Sequence, residues 1–590
     1  MATRSQRYIL VVAITAIMAS KQAILAFCFQ QGRIFQRHAH SHSRRSFWVS
    51  SSVLSVAVTS SSSSSSLSVE PIKTPAKFVP KPFDYHQLID IQIDSLTNQG
   101  WGIGRVALTT PDTPTTTTTD GTAKEVDNND SNNTEHNNNS NMEDKRLWII
   151  MVPHVIVGET VRVRIFRNMK SYSEADLVEV LQASPDRVEP KCSLAGICGG
   201  CQYQHMSITA QRDWKQKHVQ EVLLQQKIDG YETSDKVQVL PTAGTDQIFE
   251  YRSKLTPHYQ APMEETMEDE SGETSTAYHL EAVGFQQSSN RRLVDVPECP
   301  IATPPINKVY QQTRQQLHQR SQQGLLNASP TGKKKRKRGG RSRSGGALGA
   351  TLLFRQADDD VETGEAVVVT DHNQYMTTTV KDIQFRYQAG NFFQNNNYVL
   401  PLMVDAVVEA ATKPVSGAGM PPSYLIDCYC GSGLFALSAA KHFKLCVGIE
   451  VNEKAAAEAS ENAKLNSIDN CQFVAASAEA IFTSPPTLTI AGFEELKVQD
   501  LDRQQTVVVL DPPRKGCSPE FLQQLYEYSP QRIVYMSCGP ATQARDAKGI
   551  VEVGGYDIVS IQPFDLFPQT KHIESLVVFE KRTPQFKIHL

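Results

Sequence analysis

From Ser423 onward, short apolar runs alternate with longer stretches whose apolar residues recur at helical spacing. Residues 424–429, 445–449, 472–475, 506–510 and 532–536 read as strands, and 435–442 and 455–465 as helices. Runs this apolar suit strands covered on both faces, so the alternation predicts a doubly wound α/β sheet. Its ligand crevice should lie at the carboxyl ends of the strands. Upstream, residues 84–189 carry strand-like runs at 87–93 and 161–166. With Gly100-Trp101-Gly102-Ile103-Gly104 read as a turn, they predict a small β-barrel.

Composition interrupts these patterns. Residues 109–141 are rich in Thr and Asn and too poor in apolar side chains to build a core, so they read as a disordered insert. With 590 residues, 40% of them apolar, the chain has room for several packed domains. Its net charge of −4 is unexpected for a nucleic-acid binder, but acids concentrate at 264–273 and 358–362, which leaves room for local basic surfaces. Residues 1–69 hold no Asp or Glu, while carrying Arg4, Arg7, Lys21, Arg33, Arg37, Arg44 and Arg45. The apolar run at 8–19 is too short to span a bilayer securely, so this segment reads as a targeting leader. The basic run Lys333-Lys334-Lys335-Arg336-Lys337-Arg338 reads as a loop that contacts phosphate.

Candidate chemistry begins with Cys538, placed just past the strand at 532–536 and before a Pro-bearing turn. A thiol at a strand end beside a cleft can act as a nucleophile; alone it reads more readily as a small buried hydrophobe. Gly431-Ser432-Gly433 lets backbone approach a ligand, and Glu450 ends the next strand where such folds bind ribose hydroxyls. The third glycine of the dinucleotide fingerprint is missing. A nicotinamide is therefore disfavoured relative to S-adenosylmethionine, which has no pyrophosphate to cradle. Cys192, Cys198 and Cys201 form C-x5-C-x2-C, with Cys299 following, and four thiolates suit an iron–sulfur cluster or a structural zinc.

One ordered set of motifs carries a resemblance. It comprises Phe393-Gln394-Asn395, Asp427-Cys428-Tyr429-Cys430-Gly431-Ser432-Gly433, Glu461-Asn462-Ala463-Lys464-Leu465-Asn466, Asp511-Pro512-Pro513-Arg514-Lys515-Gly516, Ser537-Cys538-Gly539-Pro540-Ala541-Thr542 and Phe567-Pro568-Gln569-Thr570-Lys571-His572-Ile573-Glu574. Over roughly residues 83 to 582 the chain resembles the RNA uracil-5-methyltransferases. Two other chemistries on this fold fit less well. Amino-directed enzymes place an aromatic residue where Arg514 stands, and cytosine-5 RNA enzymes place a cysteine directly after a proline of the Asp511-Pro512-Pro513 motif.

The resemblance implies a Rossmann-like, class I S-adenosylmethionine-dependent methyltransferase domain at 391–582. It implies an OB-like TRAM barrel at 83–186 and a central α+β iron–sulfur domain at 190–390, with a low-complexity insert at 320–348. Cys538 is implied as nucleophile and Glu574 as the base that removes the C5 proton. Gln394, Tyr429, Glu450 and Asp511 would line the donor site. Arg514 and Lys515 would supply charge near the RNA backbone or the enolate oxygen. Cys192, Cys198, Cys201 and Cys299 would hold a [4Fe-4S] cluster, which tilts the expected RNA partner toward ribosomal RNA, with tRNA as the alternative. The expected protein is a monomer, free of the membrane once its leader is removed. The leader resembles two-part plastid leaders, with a mitochondrial presequence as the alternative.

Overall fold

The computed structural model describes residues 82–108, 147–231, 237–268, 274–326, 349–414, 421–481, 487–490 and 493–582. The leader at 1–69, the insert at 109–141 and the basic run at 333–343 lie outside the described residues. Of the insert expected at 320–348, the first residues belong to a helix, α2 (Pro304–Gln322).

Five strands close into a barrel: β1 (Leu88–Leu96), β2 (Trp101–Ala107), β3 (Leu147–Pro153), β4 (Thr160–Asn168) and β5 (Tyr172–Gln182). Alternate residues point inward, so Ile91, Ile93, Ile150, Val152, Val161, Val163 and Ile165 fill one apolar core. One expectation needs correction. Residues 101–104 are strand rather than turn, paired with both β1 and β3. The glycines serve close packing: a Cβ on Gly102 would stand 2.1 Å from Val155 Cγ2, and one on Gly104 2.8 Å from Ile91 Cδ1.

Between barrel and carboxyl-terminal region lie helix α1 (Ile208–Gln225), α2 and small antiparallel sheets. Ser207 caps α1 by accepting from Ala210 N.

The carboxyl-terminal region is the doubly wound sheet that the pattern predicted. Its strands are β6 (Tyr424–Cys428), β7 (Leu445–Glu450), β8 (Cys471–Ala475), β9 (Thr506–Leu510), β10 (Arg532–Ser537), β11 (Tyr556–Phe564) and β12 (Glu574–Lys581). They lie in the order β8-β7-β6-β9-β10-β12-β11, with β12 antiparallel to both its neighbours. Every residue of β9 and β10 is buried, because the sheet is covered on both faces. The covering helices are α3 (Leu400–Thr412), α4 (Leu434–Ala439), α5 (Glu453–Leu465), α6 (Pro519–Tyr528) and α7 (Pro540–Glu552). Asn452 caps α5 and Ser518 caps α6, each followed by an acid in the first turn. No described helix is long and apolar enough to cross a membrane.

Candidate active site

The carboxyl ends of β6, β7, β9 and β10 meet along one crevice, as parallel pairing in register requires. Cys428 pairs with Ile449 and with Leu510, and Leu510 pairs with Tyr535. The residues just beyond these pairs are Tyr429, Glu450, Asp511 and, three past Tyr535, Cys538.

The turn after β6 is built for a close-lying ligand. Tyr429 holds a left-handed φ of 65°, a conformation that non-glycine residues adopt only where the surroundings enforce it. Its ring rests edge-on against Phe521. Gly431, at φ 55°, faces open space, for a Cβ there would meet nothing within 4 Å. Glu450 bends back over this turn, accepting from Gly431 N at 3.1 Å and Asn452 N at 2.8 Å. Beneath it, Asp427 is fully buried. Its Oδ2 accepts from Ala436 N at 2.9 Å, while Oδ1 has no partner. Burial pushes the Asp427 carboxyl up to about 8. An open glycine cradle, an oriented carboxylate at a strand end and a buried acceptor lacking a donor together fit S-adenosylmethionine.

Gln394 is buried in the segment approaching α3. Buried Arg355 fixes the backbone just before it, donating to Asn391 O at 2.7 Å and Phe393 O at 3.0 Å.

Cys538 and Glu574 come from neighbouring strands. The antiparallel pairing of β10 with β12 ends at Ser537 and Ser575, so the next step in that register sets Cys538 opposite Glu574. Gln543 of α7 ties the two strands together, its Nε2 donating to Tyr535 O and Ser575 O at 2.8 Å each. Cys538 also precedes the amino end of α7, where unpaired N–H groups favour an anion. Against this, burial pushes its thiol up to about 11, with Glu574 and Asp511 adding to the rise. Glu574 is 4% exposed, far from the ordinary surface glutamate that its sequence context alone would give. Its carboxyl is held well above the usual range by burial and by Asp511, and Asp511 itself is pushed up to about 7 by burial. Arg514 acts in the opposite direction on both Cys538 and Glu574.

A model of the tRNA (uracil-5-)-methyltransferase family matches residues 361–582. The chain is 35% identical over 440 residues to a tRNA (uracil(54)-C(5))-methyltransferase of Schizosaccharomyces pombe, covering 74% of each chain. It is 27% identical to the Saccharomyces cerevisiae protein of the same name, covering 75% of this chain and 70% of that one. The chain belongs to the RNA uracil-5-methyltransferase family. Its fold matches that of Pyrococcus abyssi tRNA (uracil-54, C5)-methyltransferase, solved in complex with S-adenosyl-L-homocysteine. The TM-score is 0.51 at 20% identity, covering 83% of this chain and 100% of the other.

In this methyltransferase the four cysteines precede the catalytic sheet in the sequence. Cys201 feels the charge of Cys192, Cys198 and Cys299, so the fold brings the four into one neighbourhood. Burial pushes Cys201 up to about 12 and Cys299 up to about 11. Yet among the described residues no group of three or more His, Cys, Asp or Glu side chains is arranged to hold a metal ion. A charge effect reaches further than a coordination bond of about 2.3 Å, so proximity of the thiols does not by itself make a metal site. The expected cluster thus finds no support in this geometry.

Two residues at the crevice received no individual role, or only a general one, from the sequence. Asp427 lies inside the second motif, and its signal was an acid within an otherwise apolar run. Arg514 was assigned to RNA or enolate oxygen; in the structure its charge also favours the Cys538 thiolate, and it donates to His572 Nδ1 at 3.4 Å. His572 is pushed down to about 4, first by burial and then by Arg514 and Lys571. It is therefore a neutral, weakly basic imidazole.

Proposed function

We propose that this enzyme methylates C5 of a uridine in RNA, with Cys538 as nucleophile, Glu574 as base and S-adenosylmethionine as donor. The observation that carries the reading is the placement of Cys538 across from Glu574, with Arg514 acting on both.

C5 of uracil is a poor nucleophile toward a sulfonium methyl group. Addition of the Cys538 thiolate at C6 makes the ring an enolate, nucleophilic at C5. The donor supplies the methyl group. Gln394, Tyr429, Glu450 and Asp511, with Asp427 and the Gly431 turn, would hold it. Glu574 then takes the C5 proton, the C5–C6 double bond re-forms, and the C6–S bond breaks to return the thiolate.

The charges explain how a carboxyl with a raised pKa serves as base. In the resting site the thiol, Glu574 and Asp511 oppose one another's ionisation, and Arg514 favours one negative charge among them. The thiolate uses that charge for attack. After methyl transfer both sulfur and ring are neutral, so the field of Arg514 is left to stabilise the Glu574 carboxylate.

The substrate we favour is a tRNA uridine, supported by the likeness to the two fungal tRNA (uracil(54)-C(5))-methyltransferases. Ribosomal RNA is the second reading, favoured by the barrel and the cysteine spacing. That spacing also supports a [4Fe-4S] cluster on Cys192, Cys198, Cys201 and Cys299. The acid-free leader supports a plastid location, which a fluorescent fusion of residues 1–69 tests.

The deciding experiment incubates the purified chain and labelled S-adenosylmethionine with unmodified tRNA and ribosomal RNA transcripts. Nucleoside digestion should place the label in 5-methyluridine. Label in methylated cytidine or in an exocyclic amine would overturn the reading.

A further inference from the structure

The turn that leads into Glu574 is gripped from outside its own sheet. It connects β11 to β12, and most of its residues are fastened by side chains or backbone of residues 202–251. Lys215 Nζ donates to Asp565 Oδ1 at 2.5 Å and to Phe567 O at 3.2 Å. Tyr251 Oη donates to Pro568 O at 2.9 Å. Tyr203 N donates to Gln569 O at 3.0 Å, and Lys571 N donates to Gln202 Oε1 at 3.3 Å.

At the centre of this grip, Gln211 and Gln569 bond reciprocally. Gln211 Nε2 donates to Gln569 Oε1 at 3.0 Å, and Gln569 N donates to Gln211 Oε1 at 2.9 Å. Both residues are buried. Gln211 is itself anchored, its Nε2 also lying 3.1 Å from Tyr203 O and 3.0 Å from Met206 O. Gln569 holds a left-handed φ of 69°, which a side-chain-bearing residue keeps only while its neighbours enforce it.

We propose that Gln211 is a positioning residue for Glu574, setting through Gln569 where the carboxylate stands and so governing the second half of the reaction. The inference rests on the reading of Glu574 as base. Its selectivity comes from the separate support of the two partners. Cys538 is fixed by β10, by α7 and by Gln543, and none of the bonds to the turn reaches it. Loosening α1 therefore displaces the proton acceptor and leaves the nucleophile and donor site in place. The affected step is transfer of the C5 proton to Glu574, with the C–H electron pair re-forming C5=C6 and the C6–S electron pair leaving on sulfur.

The test uses the full chain, labelled S-adenosylmethionine and an unmodified tRNA transcript, or the ribosomal transcript if that is the one methylated. Gln211→Ala should slow product release about 10-fold to 100-fold, the scale of a misplaced catalytic group. Methyl incorporation in the first turnover should change little. A methyl-labelled protein–RNA band on a denaturing gel should accumulate. A merely structural role would lower both half-reactions together and leave no such band, and that result overturns the inference. Tyr251→Phe, which removes one hydroxyl and little packing, should give the same split in weaker form and serves if Gln211→Ala does not fold. Glu574→Gln run alongside separates the failures. No adduct in that variant means the base reading is wrong. An adduct there, with none in the Gln211 or Tyr251 variants, means only the positioning role is wrong.

Discussion

Cys538 and Glu574 each lie one residue beyond the paired serines Ser537 and Ser575, at the shared end of β10 and β12. Two acids on adjacent strands, in a buried crevice shared with Asp511, resist simultaneous ionisation. Such a pair serves a reaction in which one gives up its charge before the other takes it.

That order predicts opposite outcomes for the two residues. Cys538→Ala should lose methyl transfer entirely while RNA binding, measured by filter retention, persists. Glu574→Gln should still form the adduct and accept the methyl group, then stall as a covalent protein–RNA complex that requires S-adenosylmethionine. The double variant should lose the band. Normal turnover by Glu574→Gln would place the base elsewhere.

The thiol sets the pH dependence. With Cys538 pushed up to about 11, its thiolate fraction, and with it single-turnover adduct formation, should rise about tenfold per pH unit between roughly 7 and 9. Arg514 lowers that pKa, so Arg514→Gln should raise it and shift the profile to higher pH. At pH 8 its rate should fall by about tenfold or more. An unchanged profile would remove Arg514 from the thiol's chemistry.

Glu450 is oriented by two backbone N–H groups, one of them from Gly431, whose Cα has open space beside it. Glu450→Ala should raise KM for the donor about tenfold or more, with KM for RNA little changed. Isothermal titration with S-adenosyl-L-homocysteine checks this directly. Equal donor affinity in both proteins would move the ribose site elsewhere.

Asp565 joins the turn to α1 as a buried acid, paired with Lys215 and 3.4 Å from Arg212 Nε. Removing one partner strands a cation out of water. Asp565→Ala should therefore destabilise the fold by about 3–5 kcal/mol, whereas replacing both Asp565 and Lys215 with apolar residues should recover much of the loss. Denaturant unfolding of the three proteins decides it.

The cysteines make a test of composition. If they carry the proposed cluster, anaerobically purified protein should be brown, and Cys201→Ser should lose iron and acid-labile sulfide together. One zinc and no iron would replace the cluster with a structural ion, and neither metal would leave four structural thiols.

The strands, the helices and the crevice of the catalytic sheet were legible in the sequence because local patterning determines them. Residues 506–510 appear as the same strand in pattern and in structure, and Gly431 and Glu450 mark strand ends by chemistry alone. The sequence misread 101–104 because glycine codes equally for a turn and for a close approach, and only the neighbouring Val155 and Ile91 decide between them. Motif order named Cys538 and Glu574 but did not show their opposition, which depends on β12 inserting antiparallel between β10 and β11. Nor did it show that the turn before Glu574 is held by Gln211 and Lys215, more than three hundred residues earlier. Those contacts are long-range hydrogen bonds and a buried ion pair, and no local pattern encodes them. They form only when helix α1 docks against the end of the catalytic sheet.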